Sequence, residues 1–136
     1  MEERLLQEVL RQLESLQIKN NNFSKMIREK YINLGTSYDM EPYVDVIEPY
    51  YYIRMCERRN IIIEHRTKDI KLTAYIILED FLFKYEWNNL EDRYKWQIDS
   101  QQIITEKLKE HFEQFDVEYK EWFSKGLSIM SKLDQS

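Results

Sequence analysis

The chain has 136 residues, with 25 acidic against 20 basic side chains for a formal charge of −5, and only two glycines, two prolines and one cysteine. That length is about one domain, and a 43% hydrophobic content that includes three Trp, ten Tyr and six Phe can fill one core, which excludes a disordered chain. One cysteine excludes an internal disulfide framework and a Cys-rich zinc site, two glycines exclude a Gly-rich phosphate loop, and the negative balance lacks the basic footprint that nucleic-acid binding needs.

The opening MEERLLQEVL is amphipathic and acidic, without the apolar run of a signal peptide. No apolar stretch reaches the roughly 18 to 20 residues that cross a bilayer. The expectation is a cytoplasmic protein whose partners are neither nucleic acid nor membrane.

Leu5, Leu6, Val9, Leu10, Leu13 and Leu16 recur at spacings of three and four, which predicts an amphipathic helix over residues 2–17. Asn20, Asn21 and Asn22 interrupt it. Phe23, Met26, Ile27, Tyr31 and Leu34 predict a second helix over 22–34, closed by Gly35 in the left-handed position after a helix end. The period then shortens: Tyr43–Ile47, Tyr50–Cys56 and Ile61–Thr67 are β-prone runs divided by Glu48-Pro49 and by Glu57–Asn60. They predict a three-stranded antiparallel meander over 42–67, and so small a sheet needs a helical layer on one face. Thr67 or Asp69 is placed to cap a helix over 69–88 carrying Ile70, Leu72, Tyr75, Ile76, Leu78, Leu82, Phe83 and Trp87. A further helix over 91–113 aligns Trp96, Ile103, Ile104, Leu108 and Phe112, and a last one over 116–133 contains Gly126 at a cost of about 1 kcal/mol relative to Ala. The fold class is α+β in a single domain: N-terminal helices, a meander, then a three-helix layer packed on the sheet.

The charge is uneven. Between Tyr38 and Tyr52 lie Asp39, Glu41, Asp45 and Glu48 and no base, a local charge of −4 that leaves −1 for the rest of the chain. Five tyrosines share the segment: Tyr38, Tyr43, Tyr50, Tyr51 and Tyr52. Tyrosine buries much area at low entropic cost, and an acidic rim steers a basic partner. Alternation along a strand sends Tyr50 and Tyr52 one way and Tyr51 the other. The segment is therefore the candidate partner surface, with Tyr43, Tyr50 and Tyr51 as anchors and Asp39, Glu41, Asp45 and Glu48 as steering charges.

Catalytic spacing is missing. His65 and His111 are far apart and belong to no HExxH, ExxH or Cys/His pattern. Cys56 beside Arg58 and Arg59 has the cations that activate a thiol, against the ordinary behaviour of free cysteine as a small buried apolar residue. Glu79-Asp80, Glu86 and Glu91-Asp92 supply carboxylates suited to acid–base work when their environments differ, yet on helices this charged such groups are ordinarily solvated, as are Glu106, Glu110 and Glu113. Arg54, Arg58, Arg59, His65 and Arg66 form the one basic concentration, able to grip a phosphate or a partner's carboxylates, or else to pair Arg66 with Glu57 or Glu64 across the hairpin. No metal, cofactor or catalytic residue is assigned.

Over residues 33–112 the motifs NLGT, PYVDV, YYIRMCER, EHRTKD, AYIILED and DSQQII follow one another. In this order the chain resembles the immunity protein 63 family of bacterial polymorphic-toxin systems. That pattern has a proline-led strand, a hairpin with a Glu-Arg-Gly turn, a Thr and Asp opening a helix with a Leu-Tyr and a Glu-Asp, and an Asp with paired arginines opening another. Tyr52, Cys56, Glu57, Arg58, Glu64, Arg66, Thr67, Asp69, Tyr75, Glu79, Asp80 and Asp99 stand at the matching positions. Arg59 replaces the expected glycine, and Gln101 and Gln102 stand in place of the paired arginines, which marks a divergent member. The resemblance implies a non-catalytic cytoplasmic protein that binds and neutralises a cognate toxin's effector domain by stoichiometric occlusion. The alternatives are a regulatory or adaptor module of a bacterium or phage using the same face, and an enzyme with clustered carboxylates and a divalent metal.

Overall fold

A computed structural model describes residues 1–16, 18, 22–97, 99–131 and 133. The described elements run α1 (Glu2–Glu14), α2 (Phe23–Tyr31), β1 (Pro42–Ile47), β2 (Tyr50–Glu57), β3 (Asn60–Thr67), α3 (Ile70–Asn89), α4 (Asp92–Lys95), α5 (Ser100–Glu113) and α6 (Val117–Ser124). The order β1-β2-β3 is an antiparallel meander between helical segments, and the fold is α+β. Among the described residues no helix is long and apolar enough to cross a membrane.

α3 organises the core. Asp69 caps it, its carboxylate accepting the amides of Lys71 at 2.9 Å and Leu72 at 3.1 Å. The run Leu72–Leu78 is buried without interruption, followed by Phe81 and Leu82, because α1, α2, α5, α6 and the sheet all pack around this helix. A helix apolar on every side is a helix with neighbours on every side. α1 contributes Leu5, Leu6, Val9 and Leu13, α2 contributes Phe23, Ile27 and Tyr31, and α5 contributes Ile104, Leu108 and Phe112. The start of α6 is tied to α1 by polar contacts: Asp116 accepts Arg11 at 2.6 Å, Gln12 at 3.1 Å and Lys71 at 3.3 Å, and its own amide donates to Gln12 at 3.1 Å.

Helix ends depart from the sequence expectation in several places. α2 stops at Tyr31, and Ile32 leaves it extended to form a parallel bridge with Val44. Gly35 does adopt a left-handed φ of 71°, but in the loop beyond, not as the helix cap. The expected helix over 91–113 is two helices: a single turn at Asp92–Lys95, then α5 from Ser100, with Trp96 exposed between them instead of on the apolar side. The last helix is shorter than expected. Gly126 has φ 72°, its amide donates to Phe123 O at 3.0 Å, and the amide of Leu127 donates to Trp122 O at 3.0 Å. This pair of bonds is a Schellman motif, so Gly126 ends α6 rather than interrupting it. The expected first-helix end at Gln17, the break at Asn20 and Asn21, and the parts of the expected helices at Ile98 and Lys132 lie outside the described residues.

Candidate functional site

Cross-strand partners share a face, so the register divides the sheet in two. Val44, Ile53 and His65 lie in one row, and Pro42, Met55 and Ile63 in the next; this side meets the helices, and Val44, Ile53 and Met55 are buried on it. The outer side carries Tyr43, Asp45 and Ile47 from β1, Tyr50, Tyr52 and Arg54 from β2, and Glu64 and Arg66 from β3.

The loop over 33–41 covers half of this outer side. Asn33, at φ 55°, donates its amide to Val44 O at 2.7 Å and accepts the amide of Val46 on its side-chain oxygen at 2.7 Å. The Gly35 amide reaches Asp45 at 3.2 Å, and the Tyr43 hydroxyl lies 3.2 Å from both Gly35 O and Cys56 Sγ. Met40 N donates to Cys56 O at 2.9 Å, and Asp39 accepts the Arg58 amide at 3.0 Å, which fastens the loop to the far hairpin. Under this cover Tyr43 is 0% exposed, Asp45 8% and Cys56 1%. Burial pushes the Tyr43 phenol above its ordinary range.

The other half is open. Arg54 donates to Asp45 at 2.6 Å and to Glu64 at 2.8 Å while its guanidinium lies 4.8 Å from the centre of the Tyr52 ring. Burial opposes the Arg54 charge, but these two bonds outweigh it and hold the guanidinium above its ordinary range. Arg66 lies 4.3 Å and Lys68 5.3 Å from the centre of the Tyr50 ring, and Tyr50 meets Tyr52 edge-on at 6.4 Å. Ile47, opposite Tyr50, is 54% exposed. The result is a tyrosine pair flanked by three cations and one exposed aliphatic side chain.

The expected partner surface is thereby redrawn. Tyr43 and Tyr51 are buried, the first under the loop and the second at 3% exposure on the helical side, so neither is a surface anchor. Asp45 is buried against Arg54, and Glu41 pairs with Lys84 at 3.0 Å. Asp39 is occupied by the Arg58 amide; Glu48 stands exposed in the turn before Tyr50. Of the expected anchors, Tyr50 keeps an accessible ring. The −4 of the segment is largely answered from within the fold, and the cations of Arg66 and Lys68 stand at the accessible ring of Tyr50. Arg54 and Arg66 belong to the basic concentration read from the sequence and Tyr52 to its tyrosine-rich segment, but their joining with Tyr50 and Lys68 on one face was missed, although the alternation Tyr50-x-Tyr52-x-Arg54 and Glu64-x-Arg66 signals it.

No protein-family model, curated protein or solved structure matches this chain.

The remaining candidates fall at separate places. His65 Nε2 lies 3.1 Å from Ile129 O, and His111 Nε2 lies 3.0 Å from Glu86 Oε1. Among the described residues no group of three His, Cys, Asp or Glu side chains could hold a metal ion. Cys56 is buried beside Tyr43, which is the environment of a packing thiol and not of a nucleophile. Arg58 and Arg59 occupy the hairpin tip with φ 51° and 69°, left-handed backbone that favours glycine. Glu64 pairs with Arg54, so the expected hairpin pairing of Arg66 with Glu57 or Glu64 gives way to stacking of Arg66 on Tyr50. Glu57 is exposed at the end of β2, Thr67 is buried and accepts the Asp69 amide at 3.0 Å, and Asp99 precedes α5 as its N-cap residue without a side-chain cap bond. Glu106, Glu110, Glu113, Gln101 and Gln102 are exposed along α5. Asp80 accepts the Tyr31 hydroxyl at 2.6 Å and Lys84 at 2.7 Å, and with its neighbour Glu79 and Tyr75 it lines a cavity between α3, α5 and the end of α6.

Proposed function

We propose that this chain is an immunity protein acting by binding and not by turnover: it covers the effector domain of a cognate bacterial toxin in a one-to-one complex, with the outer face of the sheet as the contact surface. The observation that carries the reading is the uncovered half of that face. Tyr and Arg dominate binding hot spots, and here Tyr50, Tyr52, Arg54 and Arg66 are held in place by mutual stacking and ion pairing before any partner arrives. The resemblance of residues 33–112 to the immunity protein 63 family supports the same reading, and residues of its pattern, Tyr52, Glu64 and Arg66, fall on this face.

The polarity of the expected partner changes with the surface. Arg66 and Lys68 project beside Tyr50, so complementarity favours a toxin surface bearing carboxylates, in place of the basic entrance that an acidic segment would have suited. A non-catalytic regulatory or adaptor module of a bacterium or phage would present the same face to a different protein. The test is co-expression with the product of the adjacent open reading frame, followed by pull-down and growth rescue. Rescue with a one-to-one complex supports immunity; a complex without toxicity or rescue supports the adaptor; no complex removes both.

A further inference from the structure

A second concave site lies on the far side of α3. Between α3, α5 and the end of α6 is a cavity of about 360 Å³ lined by Tyr75, Glu79, Asp80, Phe83, Leu108, Phe123 and Leu127, within the size range of small-molecule sites. Its aromatic and aliphatic side chains are joined by the hydroxyls of Thr105 and Ser128. The electrostatics at its floor point one way. Glu79 has no cationic partner among the described residues, while the nearest lysine on the same helix, Lys84, is held by Asp80 at 2.7 Å and Glu41 at 3.0 Å. The Tyr75 hydroxyl beside Glu79 donates to Leu127 O at 2.6 Å. The lining residues from α5 and from the end of α6 carry no charge, and the Schellman turn at Gly126 places the negative end of α6 at the rim.

A half-buried carboxylate without a counter-charge favours either a proton or a matching cation. Burial, reinforced by the charge of Asp80, pushes the Glu79 carboxyl up to about 7, and the hydrogen bond to Tyr75 only partly opposes this. The aromatic and aliphatic side chains of the wall suit an ammonium carried on an apolar stem, with Phe83 and Phe123 beside its charge.

We propose that this cavity binds a primary alkyl- or arylammonium group, with Glu79 as its counter-ion and the aromatic wall around its stem. The inference is independent of the sheet face and of the toxin reading. Two sources carry that chemistry, a free small amine and a lysine side chain of another protein.

The test is a titration of the full chain, followed by amide chemical shifts at pH 8, where Glu79 is largely ionised, using n-butylammonium, benzylammonium, the neutral 1-butanol and benzyl alcohol, and a lysine amide blocked at its α-amine. The expected result is saturable shifts at Tyr75, Phe123, Leu127 and Ser128 with the ammonium probes, at least fivefold weaker with the alcohols and at least fivefold weaker for Glu79→Gln. Tighter binding of the free amines assigns a metabolite-like amine; tighter binding of the lysine amide assigns a protein side chain. Equal binding of alcohol and amine, equal binding by Glu79→Gln, or no saturable shift at these residues overturns the proposal. Glu79→Asp, which retains the charge, keeps the amine preference if the carboxylate acts as counter-ion and loses it if the cavity selects by shape alone.

Discussion

Glu79→Gln removes one charge and keeps the shape of the side chain, so it isolates the cost of desolvating that carboxylate. The Glu79 carboxyl titrates near 4.5 in an unfolded chain and at about 7 in the folded protein. A raised folded value means that the folded state holds the proton more tightly: the associated stability is complete below pH 4.5 and is lost as pH rises through 7. At about 1.4 kcal/mol for each tenfold change in proton affinity, the difference between 4.5 and 7 corresponds to about 3 kcal/mol, of which partial solvation leaves roughly 2 to 3. The glutamine amide carries no such penalty and can donate to the Tyr75 oxygen. Chemical denaturation at pH 5 and pH 8 is therefore expected to find Glu79→Gln close to wild type at pH 5 and more stable by roughly 2 kcal/mol at pH 8, a gain of about 5 to 10 °C in melting temperature. Comparing the two proteins at each pH cancels the other titrating groups. An unchanged difference between pH 5 and pH 8, or a variant less stable than wild type at pH 8, refutes the reasoning.

The acid limb should depend on Asp116, which the Arg11 guanidinium, with Gln12 and Lys71, holds down to about 2. Its contribution is present above pH 3.8 and is lost as pH falls toward 2; with this group well exposed to solvent, Asp116→Asn is expected to cost about 1 kcal/mol at pH 7 and nothing near pH 2, read by urea denaturation across that range. At the hairpin tip, Arg59→Gly removes a side chain from a left-handed backbone position and is expected to stabilise by about 1 kcal/mol, less the extra entropy of an unfolded glycine, with no loss of partner binding. Destabilisation there would show that the Arg59 side chain makes a contact worth more than the backbone strain. The amine titration described for the α3 cavity adds a ligand-binding measurement that none of these stability changes can substitute for.

How much was legible can be traced residue by residue. The strands were readable because alternation and the Glu48-Pro49 and Glu57–Asn60 interruptions are local, and α3 was readable because Asp69 caps its own helix. Helix ends were harder. Gly126 in an apolar period reads as a weak point inside a helix, and only its positive φ and the two bonds that close the turn identify it as a terminus. The candidate surface failed for a non-local reason. Counting charges between Tyr38 and Tyr52 cannot reveal that Arg54 answers Asp45, that Lys84 answers Glu41, or that the loop over 33–41 lies on Tyr43. Strand alternation was the better guide, since it separated Tyr50 and Tyr52 from Tyr51. Applied one strand further, to Arg54, Glu64 and Arg66, it outlines the open face. The cavity at Glu79 has no sequence signature, because its lining comes from three elements between residues 75 and 128.

The most direct test of the binding surface is calorimetric titration of the adjacent-gene product into the wild-type chain and into Tyr50→Ala and Arg66→Glu, with circular dichroism to confirm that each variant folds. A one-to-one complex is expected, weakened at least tenfold by Tyr50→Ala, with Arg66→Glu slowing association and removing most of its dependence on salt. A complex of unchanged affinity in both variants would place the contact surface elsewhere on the protein, and no complex at all would contradict the proposed function itself.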